Sequence, residues 1–309
     1  MGLSTVDAFK NLKDSDALVL SDAELRQLQL VLVGIVDDIA SVCDENGLVY
    51  TLGGGSALGA RRHAGFIPWD DDVDLNFPRV SYDRFMPLFR ERFGDKYWIH
   101  TPTETANYGL GLGRIRLKGT SVKTREDLAN AQCECGAFVD IFIVENTFDN
   151  VVLRKLHQFG SLALGLLYSC RKFFYERRFV RKWVAENGSF SAAFRMKLLI
   201  GFFTAIVSLD FWTRLWDRWN RICRNDRSKF VTIPVGRRHF GGELARREEL
   251  CETREVSWEG RLRKCPKDLD GYMRRLYGPN FMTPPPPEKR EKHVVFKPFD
   301  LGEGKGAGT

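Results

Sequence analysis

Apolar residues recur every three or four positions between Leu25 and Val42, which is the period of an amphipathic α-helix. Just before this pattern, Ser21 is a suitable N-cap, and Glu24 stands three positions later, where a capping box has its acidic residue. Gly47 follows the pattern and is a common helix terminator. The sequence therefore predicts a long helix between these two signals.

Shorter patterns follow this helix, and they alternate between the two kinds of secondary structure. Apolar runs, or alternation of polar and apolar side chains, predict strands at 48–52, 72–77, 114–117 and 138–144. Helical composition predicts helices at 56–62 and 81–93. This order indicates an α+β fold, in which helices flank a mixed sheet.

Long helical stretches rich in aromatic and basic residues are predicted between residues 150 and 229. Two uncharged stretches in this region, 159–170 and 198–209, are 12 residues long, whereas a membrane-spanning helix needs about 20. Core helices are the favoured interpretation, and helices lying on a membrane surface are the alternative. Six basic residues nearby would face anionic lipid in the second case: Arg171, Lys172, Arg177, Arg178, Arg181 and Lys182.

Composition narrows the class of protein. With 43% hydrophobic and 28% charged residues, the 309-residue chain has the composition of an ordinary folded protein. The net charge of +7 favours anionic ligands such as nucleotide phosphates, acidic glycans or an anionic membrane face. The seven cysteines are odd in number and scattered, which favours a reducing compartment. Because no signal-peptide pattern is found, a cytoplasmic location is predicted, with the membrane surface as an alternative. No nucleic-acid-binding motif is found.

A glycine-rich turn follows the predicted strand at 48–52. It contains Gly53, Gly54 and Gly55, and Ser56 then stands at the head of the predicted helix. Glycine lets the backbone approach an anion closely, and the first N–H groups of a helix point at it. This arrangement is typical of phosphate-binding loops, although a glycine-rich turn by itself is more often a plain loop.

Four acidic residues lie within five positions at 70–74, between bulky apolar neighbours. Asp72 and Asp74 would share one face of the predicted strand, about 7 Å apart, and could bind divalent cations. Carboxylate oxygens suit Mg²⁺ or Mn²⁺, and a cation would relieve their mutual repulsion. A solvated acidic loop is the simple alternative. An EF-hand loop beginning at Asp70 is excluded, because Leu75 and Ser81 occupy its glycine and glutamate positions.

Asp140 is flanked by apolar residues on another predicted strand and is a third candidate metal ligand. A carboxylate in such a run is costly unless it has a partner, so an ion pair with an arginine is the alternative. Arg62, Arg114 and Arg116 are candidate phosphate ligands, because a guanidinium group can bind two phosphate oxygens at once. Any of the three could equally be a surface residue.

These motifs together resemble a known superfamily. Gly-Gly-Ser, a gap of 15 residues, Asp-x-Asp and a later apolar-Asp-apolar strand are similar to the nucleotidyltransferase pattern. The run GGGSALGARRHAGFIPWDDDVDLNFPRVSYDRF resembles the LicD/fukutin-related family specifically, and further matches are found at 113–122, 136–144 and 276–293. The resemblance covers roughly residues 25–145 and 230–295. It implies a nucleotidyltransferase-fold mixed sheet with flanking helices and a large helical insert.

The resemblance also implies a reaction. The family transfers phosphocholine, or a similar phospho-alcohol, from a CDP-linked donor to a hydroxyl of a cell-surface glycan or glycoconjugate, and CMP leaves. CDP-choline is the typical donor, and CDP-ribitol is used by eukaryotic relatives. The implied residues are Asp72, Asp74 and Asp140 for Mg²⁺ or Mn²⁺, Gly54, Gly55 and Ser56 for the donor phosphates, Arg62, Arg114 and Arg116 for their charge, and His293 as a further catalytic candidate. Arg61 and Val294 depart from the family pattern, which usually has an apolar residue and a second histidine there.

On this basis the chain is predicted to comprise an N-terminal leader at 1–20 and a nucleotidyltransferase-like catalytic core at 21–149. A helical insert at 150–229 would bind the acceptor or a membrane surface. A C-terminal part at 230–300 would complete the site, and a flexible tail would follow at 301–309. Two other functions stay open. One is a true nucleotidyltransferase that releases pyrophosphate, and the other is a non-catalytic scaffold that binds glycans or membranes.

Overall fold

The structure is a computed structural model and describes residues 17–124, 127–128, 134–178, 181, 192–290 and 295–302. Its strands are β1 (Ala17–Leu18), β2 (Thr51–Leu52), β3 (Asp74–Pro78), β4 (Tyr97–His100), β5 (Gly113–Leu117), β6 (Ser121–Lys123), β7 (Phe138–Thr147), β8 (Phe230–Thr232), β9 (Ala245–Arg246), β10 (Thr253–Trp258), β11 (Arg261–Pro266) and β12 (Val295–Asp300). Its helices are α1 (Asp22–Glu45), α2 (Gly54–His63), α3 (Arg79–Phe93), α4 (Val151–Tyr175), α5 (Ala192–Thr204), α6 (Leu209–Asn220), α7 (His239–Gly242), α8 (Arg247–Leu250) and α9 (Leu269–Tyr277), with a short 3₁₀ turn at Pro287–Lys289.

A mixed sheet forms the centre of the molecule. Its strands run in the order β2-β3-β7-β5-β4, and β8 and β9 extend it from the far end of β7. β3 is parallel to β7, whereas the other neighbours in the sheet are antiparallel. β1, β12 and β6 form a small second sheet, and β10 and β11 form a hairpin. This mixed sheet with its flanking helices confirms the predicted α+β class.

Helix α1 is the first predicted element and is confirmed, because its signals are local. The Glu24 N–H donates to the Ser21 hydroxyl at 3.3 Å, and the Ser21 N–H donates to the Glu24 carboxylate at 2.8 Å. The apolar stripe of α1 is buried against α3 and β7. Burial of each large aliphatic side chain contributes about 1.5–3 kcal/mol, so the stripe fixes this helix on the sheet.

Three predicted boundaries around the glycine-rich turn were wrong by two or three residues. The strand predicted at 48–52 is confined to Thr51–Leu52, and the helix predicted at 56–62 already begins at Gly54. The strand predicted at 72–77 begins at Asp74, so that Asp72 lies in the loop before it. Before β3 the chain makes a turn in which the Asp70 N–H donates to the carbonyl of Ile67 at 2.9 Å, and the Val73 carbonyl then accepts from the Asp140 N–H at 2.9 Å.

The region after β7 is helical, and it joins the sheet through a buried ion-pair network. The guanidinium group of Arg79, at the head of α3, binds the carboxylates of Glu145 on β7 and Asp217 on α6. Helices α5 and α6 both pack on α4. No single helix in the described part of the chain is long and apolar enough to cross a membrane, whereas α5 and α6, bent by 94°, pass that test as a pair by length and composition alone.

The two uncharged stretches of these helices are not interior helices, so the favoured core interpretation was wrong for much of their length. Tyr168 and Cys170 are buried, but Phe159, Phe203 and Ile206 are exposed by 73%, 63% and 90%. The reason is that the other helices of the insert and a few residues of the core, such as Gly109 and Phe240, cover only part of each helix surface. The predicted leader and the predicted tail fall almost entirely outside the described residues.

Candidate active site

The head of helix α2 is held by a residue distant in sequence. The hydroxyl of Tyr272, on α9, accepts hydrogen bonds from the Gly54 N–H at 3.2 Å and from the Asn76 side-chain amide at 3.1 Å. Burial raises the pKa of the Tyr272 phenol well above its usual range, so the phenol stays neutral. The C-terminal part of the chain thus completes the helix end that the glycine-rich turn begins.

The glycines of this turn leave room for carboxylates. Gly54 has a φ of +41°, and a Cβ atom added there would collide with Oδ2 of Asp74. A Cβ atom at Gly55 would lie 2.8 Å from Oδ2 of Asp70. Side chains of the acidic run therefore approach the first turn of α2 directly, which a residue larger than glycine would prevent.

Ser56 also connects the turn to the acidic run. It is only 2% exposed, and its hydroxyl accepts a hydrogen bond from the Asp74 N–H at 3.0 Å. The side chain therefore positions the start of β3. Contact between Ser56 and the donor phosphates stays a prediction, as does such contact by Gly54 and Gly55.

The acidic run folds into a cluster. Ligand oxygens of Asp70, Asp71 and Asp72 all lie within 4.8 Å of one another, and all three residues are half-buried. The Gln29 side-chain amide donates to the backbone carbonyl of Asp70 at 3.0 Å and so ties the loop to α1. Asp72 and Asp74 line the same cavity. Asp70 and Asp71 were absent from the predicted metal ligands because strand alternation was assumed, although the run of four acids was the available signal.

Asp140 lies between two of the other predicted residues in the sheet. In register across β3, β7 and β5, it is the neighbour of Asp74 on one side and of Arg114 on the other. Arg114 donates to both Asp140 carboxylate oxygens, at 2.6 and 2.8 Å, and its guanidinium carbon lies 3.9 Å from the centre of the Phe138 ring. The predicted alternative of an ion pair is thus the arrangement seen here. Metal binding by Asp140 stays a prediction, and so does phosphate binding by Arg114.

Arg116 is a buried structural residue in this fold. It is 2% exposed, and its guanidinium group donates to Asp127 Oδ1 at 2.7 Å. Arg116 does not line the cavity that Asp72 and Asp74 share. Its predicted contact with donor phosphates has no support from this arrangement. His293 lies outside the described residues.

A cavity of about 390 Å³ opens in front of the acidic cluster. Its lining includes the first turns of α2, the acidic run and a C-terminal segment, namely Gly55, Leu58, Arg62, Ile67, Trp69, Asp70, Asp72, Asp74, Arg237, Tyr277, Asn280, Phe281, Thr283 and Pro285. A volume of this size fits the range of small-molecule sites. Acidic groups at one part of the lining and two arginines elsewhere suit a metal-associated phosphate ester.

The two arginines of the cavity reach it from different parts of the chain. Arg62 donates to the carbonyl of Phe281 at 3.2 Å and lies 5.9 Å from the centre of the Trp69 ring. Arg237 lies 5.6 Å from the centre of the Tyr277 ring. Burial lowers the pKa of Arg62, while Tyr277 and Asp70 oppose this effect, so the group remains a cation at neutral pH. Arg237 was missed because no motif surrounds it and only tertiary packing brings it here.

Replacement of Gly54 tests the close approach between α2 and Asp74. We expect Gly54→Ala to lower the free energy of unfolding by about 1–2 kcal/mol, the cost of a left-handed non-glycine residue. We also expect it to lower activity about 100-fold, because the new Cβ atom displaces the Asp74 carboxylate. Urea unfolding and the rate of donor turnover measure the two effects.

Gly34→Ala, on the exposed side of α1, is the matched control for Gly54→Ala. A Cβ atom there meets nothing within 4 Å, so stability should rise by about 0.5–1 kcal/mol while activity is unchanged. An active Gly54→Ala enzyme would show that the Asp74 carboxylate is not held in place by this glycine.

Comparison with known proteins places part of the chain beside one family. Residues 47–108 match the family model described as LicD/FKTN/FKRP, nucleotidyltransferase domain. The chain is 35% identical over 125 residues to a lipopolysaccharide cholinephosphotransferase LicD of Haemophilus influenzae, which is 39% of this chain and 44% of that protein. It is 29% identical over 83 residues to the uncharacterized protein RT0683 of Rickettsia typhi, covering 24% and 27% of the two chains. The matched region is thus less than half the length of either relative. These matches confirm the family resemblance predicted from the sequence.

Proposed function

We propose, from the premise that this chain is related to the LicD/fukutin-related family, that it transfers phosphocholine or a similar phospho-alcohol from a CDP-linked donor to a glycan hydroxyl. The observation that carries this proposal is the shared cavity, where the first turn of α2 faces Asp70, Asp72 and Asp74. The family match at residues 47–108 contains all of these elements.

The proposed reaction breaks one phosphorus–oxygen bond and forms another. A hydroxyl of the acceptor attacks the phosphorus atom that carries the alcohol, and the bond from this phosphorus to the bridging oxygen of CMP breaks. A base accepts the proton of the hydroxyl, and CMP leaves as an anion with the electron pair of the broken phosphorus–oxygen bond. Arg62 and Arg237 line the cavity where this charge would develop, and guanidinium groups stabilise such oxygens effectively.

The acidic cluster fits a divalent cation. Asp70, Asp71 and Asp72 offer hard oxygen ligands within 4.8 Å of one another, the donor type that Mg²⁺ and Mn²⁺ prefer. We expect Asp72 and Asp74 to hold the ion, with Asp70 and Asp140 as further ligands. Such an ion, when bound, neutralises charge on phosphoryl oxygens. The chain's own residues position the donor, because Ser56 and Tyr272 hold the backbone of the site in place.

Removal of metal tests this part of the proposal. We expect EDTA to abolish turnover and either Mg²⁺ or Mn²⁺ to restore it, because four carboxylates at 70–74 need a cation to bind an anionic donor. Ca²⁺ prefers more ligands at longer distances and serves as the comparison ion. Full turnover in EDTA would contradict metal dependence.

The acceptor is proposed to be a cell-surface glycan or glycoconjugate, because one relative acts on lipopolysaccharide by its name. Lipopolysaccharide, teichoic acid and glycoprotein glycans all offer the required hydroxyl. An assay with each as acceptor and radiolabelled CDP-choline would identify the class by the label it retains.

Product analysis separates this proposal from nucleotidyl transfer. The full chain is incubated with Mg²⁺, acceptor glycans and one of CDP-choline, CDP-ribitol, CDP-glycerol or CTP. Release of CMP from one CDP-alcohol, with no pyrophosphate from CTP, is the expected result. Pyrophosphate release from CTP would favour a true nucleotidyltransferase. If titration calorimetry detects no binding of any of the four nucleotides, the non-catalytic scaffold would be favoured.

A further inference from the structure

Exposed apolar side chains are concentrated on residues 151–220, the part of the predicted insert 150–229 that carries α4, α5 and α6, and below this part is called the insert. The described residues include 20 exposed large hydrophobic side chains, and 14 of them belong to this insert. On α4, Leu156, Phe159 and Leu166 recur at helical spacing along one face. On α5 and just after it, Leu199, Phe203 and Ile206 do the same. Exposed apolar patches of this kind mark sites that contact another protein or a membrane.

The same segment carries the positive charge of the protein. Residues 151–220 contain 12 lysines and arginines against four acidic residues, a formal charge of +8, whereas the whole chain carries +7. The remainder of the molecule is therefore close to neutral. Arg178, Arg181 and Arg195 are exposed on the insert. Basic side chains beside an exposed apolar helix face are typical of helices that lie on anionic membranes.

The contacts of α6 argue against a membrane-spanning arrangement of α5 and α6. Asp217 on α6 is buried, and its carboxylate accepts a hydrogen bond from Arg79 of the catalytic core at 2.6 Å. Asn220, one turn further on, is also buried and accepts from the Ser161 hydroxyl at 2.7 Å. The contact with Arg79 would be lost if α6 entered a bilayer, and the Ser161 contact keeps α4 beside α6, so the insert can present α4 and α5 outward while α6 stays on the core.

We propose that the exposed faces of α4 and α5 form a docking surface for an anionic lipid bilayer. The apolar side chains would enter the interfacial region, and the basic side chains would bind lipid phosphates at the same level. A second copy of the chain is a poorer occupant, because two inserts of +8 would repel each other at a shared face. This proposal does not depend on the reaction at the α2 cavity.

Flotation of the full chain with lipid vesicles tests this surface. We expect binding to vesicles of phosphatidylcholine mixed with phosphatidylserine, and weaker binding at high salt or to phosphatidylcholine alone. Phe159→Ser combined with Phe203→Ser should lower the affinity about 100-fold, roughly tenfold for each buried aromatic side chain. Arg178→Glu combined with Arg195→Glu should lower it by more than about 25-fold, roughly fivefold for each arginine lost and a further decrease from each added carboxylate.

Matched substitutions outside the insert serve as controls. Val19→Ser with Leu262→Ser removes two exposed apolar side chains, and Arg246→Glu with Lys267→Glu makes the same change in charge. Neither pair should alter vesicle binding. Circular dichroism establishes that each variant is folded, and the charge pair still tests the surface if the double serine variant is not.

Three results would overturn the proposal. One is no association of the wild type with anionic vesicles at low salt. Another is wild-type binding by both insert variants, which would assign the contact to a different face. The last is a wild-type protein that does not bind vesicles and forms a dimer in analytical ultracentrifugation, where the double serine variant is a monomer. This face would then be an interface between two copies of the chain.

Discussion

Asp74→Asn is expected to lower donor turnover about 1000-fold while the fold is retained. Asp74 lines the cavity, and its carboxylate touches the head of α2, so it stands at the centre of the proposed site. Losing one group that stabilises transition-state charge typically lowers the rate by about 100- to 1000-fold, and a lost metal ligand belongs at the upper end. Asparagine keeps the shape of the side chain and removes its charge.

The stability of Asp74→Asn distinguishes loss of function from loss of structure. Removing one of four neighbouring carboxylates relieves repulsion, so the free energy of unfolding should stay unchanged or rise in the absence of metal. Titration calorimetry should show that Mg²⁺-dependent binding of CDP-choline is lost. Asp270→Asn is the matched control, because Asp270 lies on neighbouring α9 and forms an exposed pair with Arg61 outside the cavity. Turnover at the wild-type rate by Asp74→Asn would show that this cavity is not the active site.

Parallel substitutions show which acids share the role of Asp74. Asp70→Asn and Asp72→Asn should each impair metal-dependent turnover if the loop provides ligands. Asp140→Asn also breaks the bidentate pair with Arg114, so it should lower stability as well as activity. A loss of stability without a loss of metal affinity would assign Asp140 to structure alone.

Local signals in the sequence predicted the elements that depend on near neighbours. The capping box and apolar stripe of α1 act within a few residues, and the glycine-rich turn and the acidic run are each contiguous in the chain. The strands that carry Asp74 and Asp140 were also predicted from local patterns, although their pairing as parallel neighbours was not. The motifs that line the candidate site were therefore predictable from the sequence, and their role in binding and catalysis stays a prediction.

Features that depend on long-range packing were not predictable in this way. Helix α2 begins at Gly54 with the support of Tyr272, which is 218 residues away in sequence. Arg114 and Arg116 looked equivalent on one strand face, but Asp140 pairs with the first and Asp127 with the second. These partners are set by strand register and loop position, which no pattern within one segment records. Arg237 and Tyr277 reach the cavity for the same reason.

The sequence also predicted a helical insert without showing how it is attached. One contact between insert and core is the network of Arg79, Glu145 and Asp217, in which three charged side chains meet largely out of water. Arg79 follows the strand β3 that begins with Asp74, and Glu145 lies on β7, which carries Asp140. The network thus joins α6 of the insert to β7, which carries Asp140, and to the residue that follows β3, which carries Asp74.

Arg79→Met is expected to lower the free energy of unfolding by about 3–5 kcal/mol, because it leaves buried carboxylates without their cation. In the native structure the Arg79 side chain is 10% exposed, and its Nε donates to Glu145 at 3.1 Å and its Nη2 to Asp217 at 2.6 Å. Urea unfolding measures the loss. Arg61→Met removes an exposed pair with Asp270 and is the matched control, for which about 0–1 kcal/mol is expected.

The pH dependence of this loss identifies its cause. Burial raises the pKa of Glu145, and Arg79 opposes that rise. In the variant the opposition is gone, so the folded state binds a proton on Glu145 more readily than the unfolded chain does. A group whose pKa is raised in the folded state stabilises that state at low pH, and this contribution is lost as the pH rises through the raised pKa. The loss of unfolding free energy in Arg79→Met should therefore be smaller at pH 5 than at pH 7, and Glu145→Gln added to Arg79→Met should reduce that difference. A deficit independent of pH would show that lost packing, and not an uncompensated buried charge, is what Arg79 prevents.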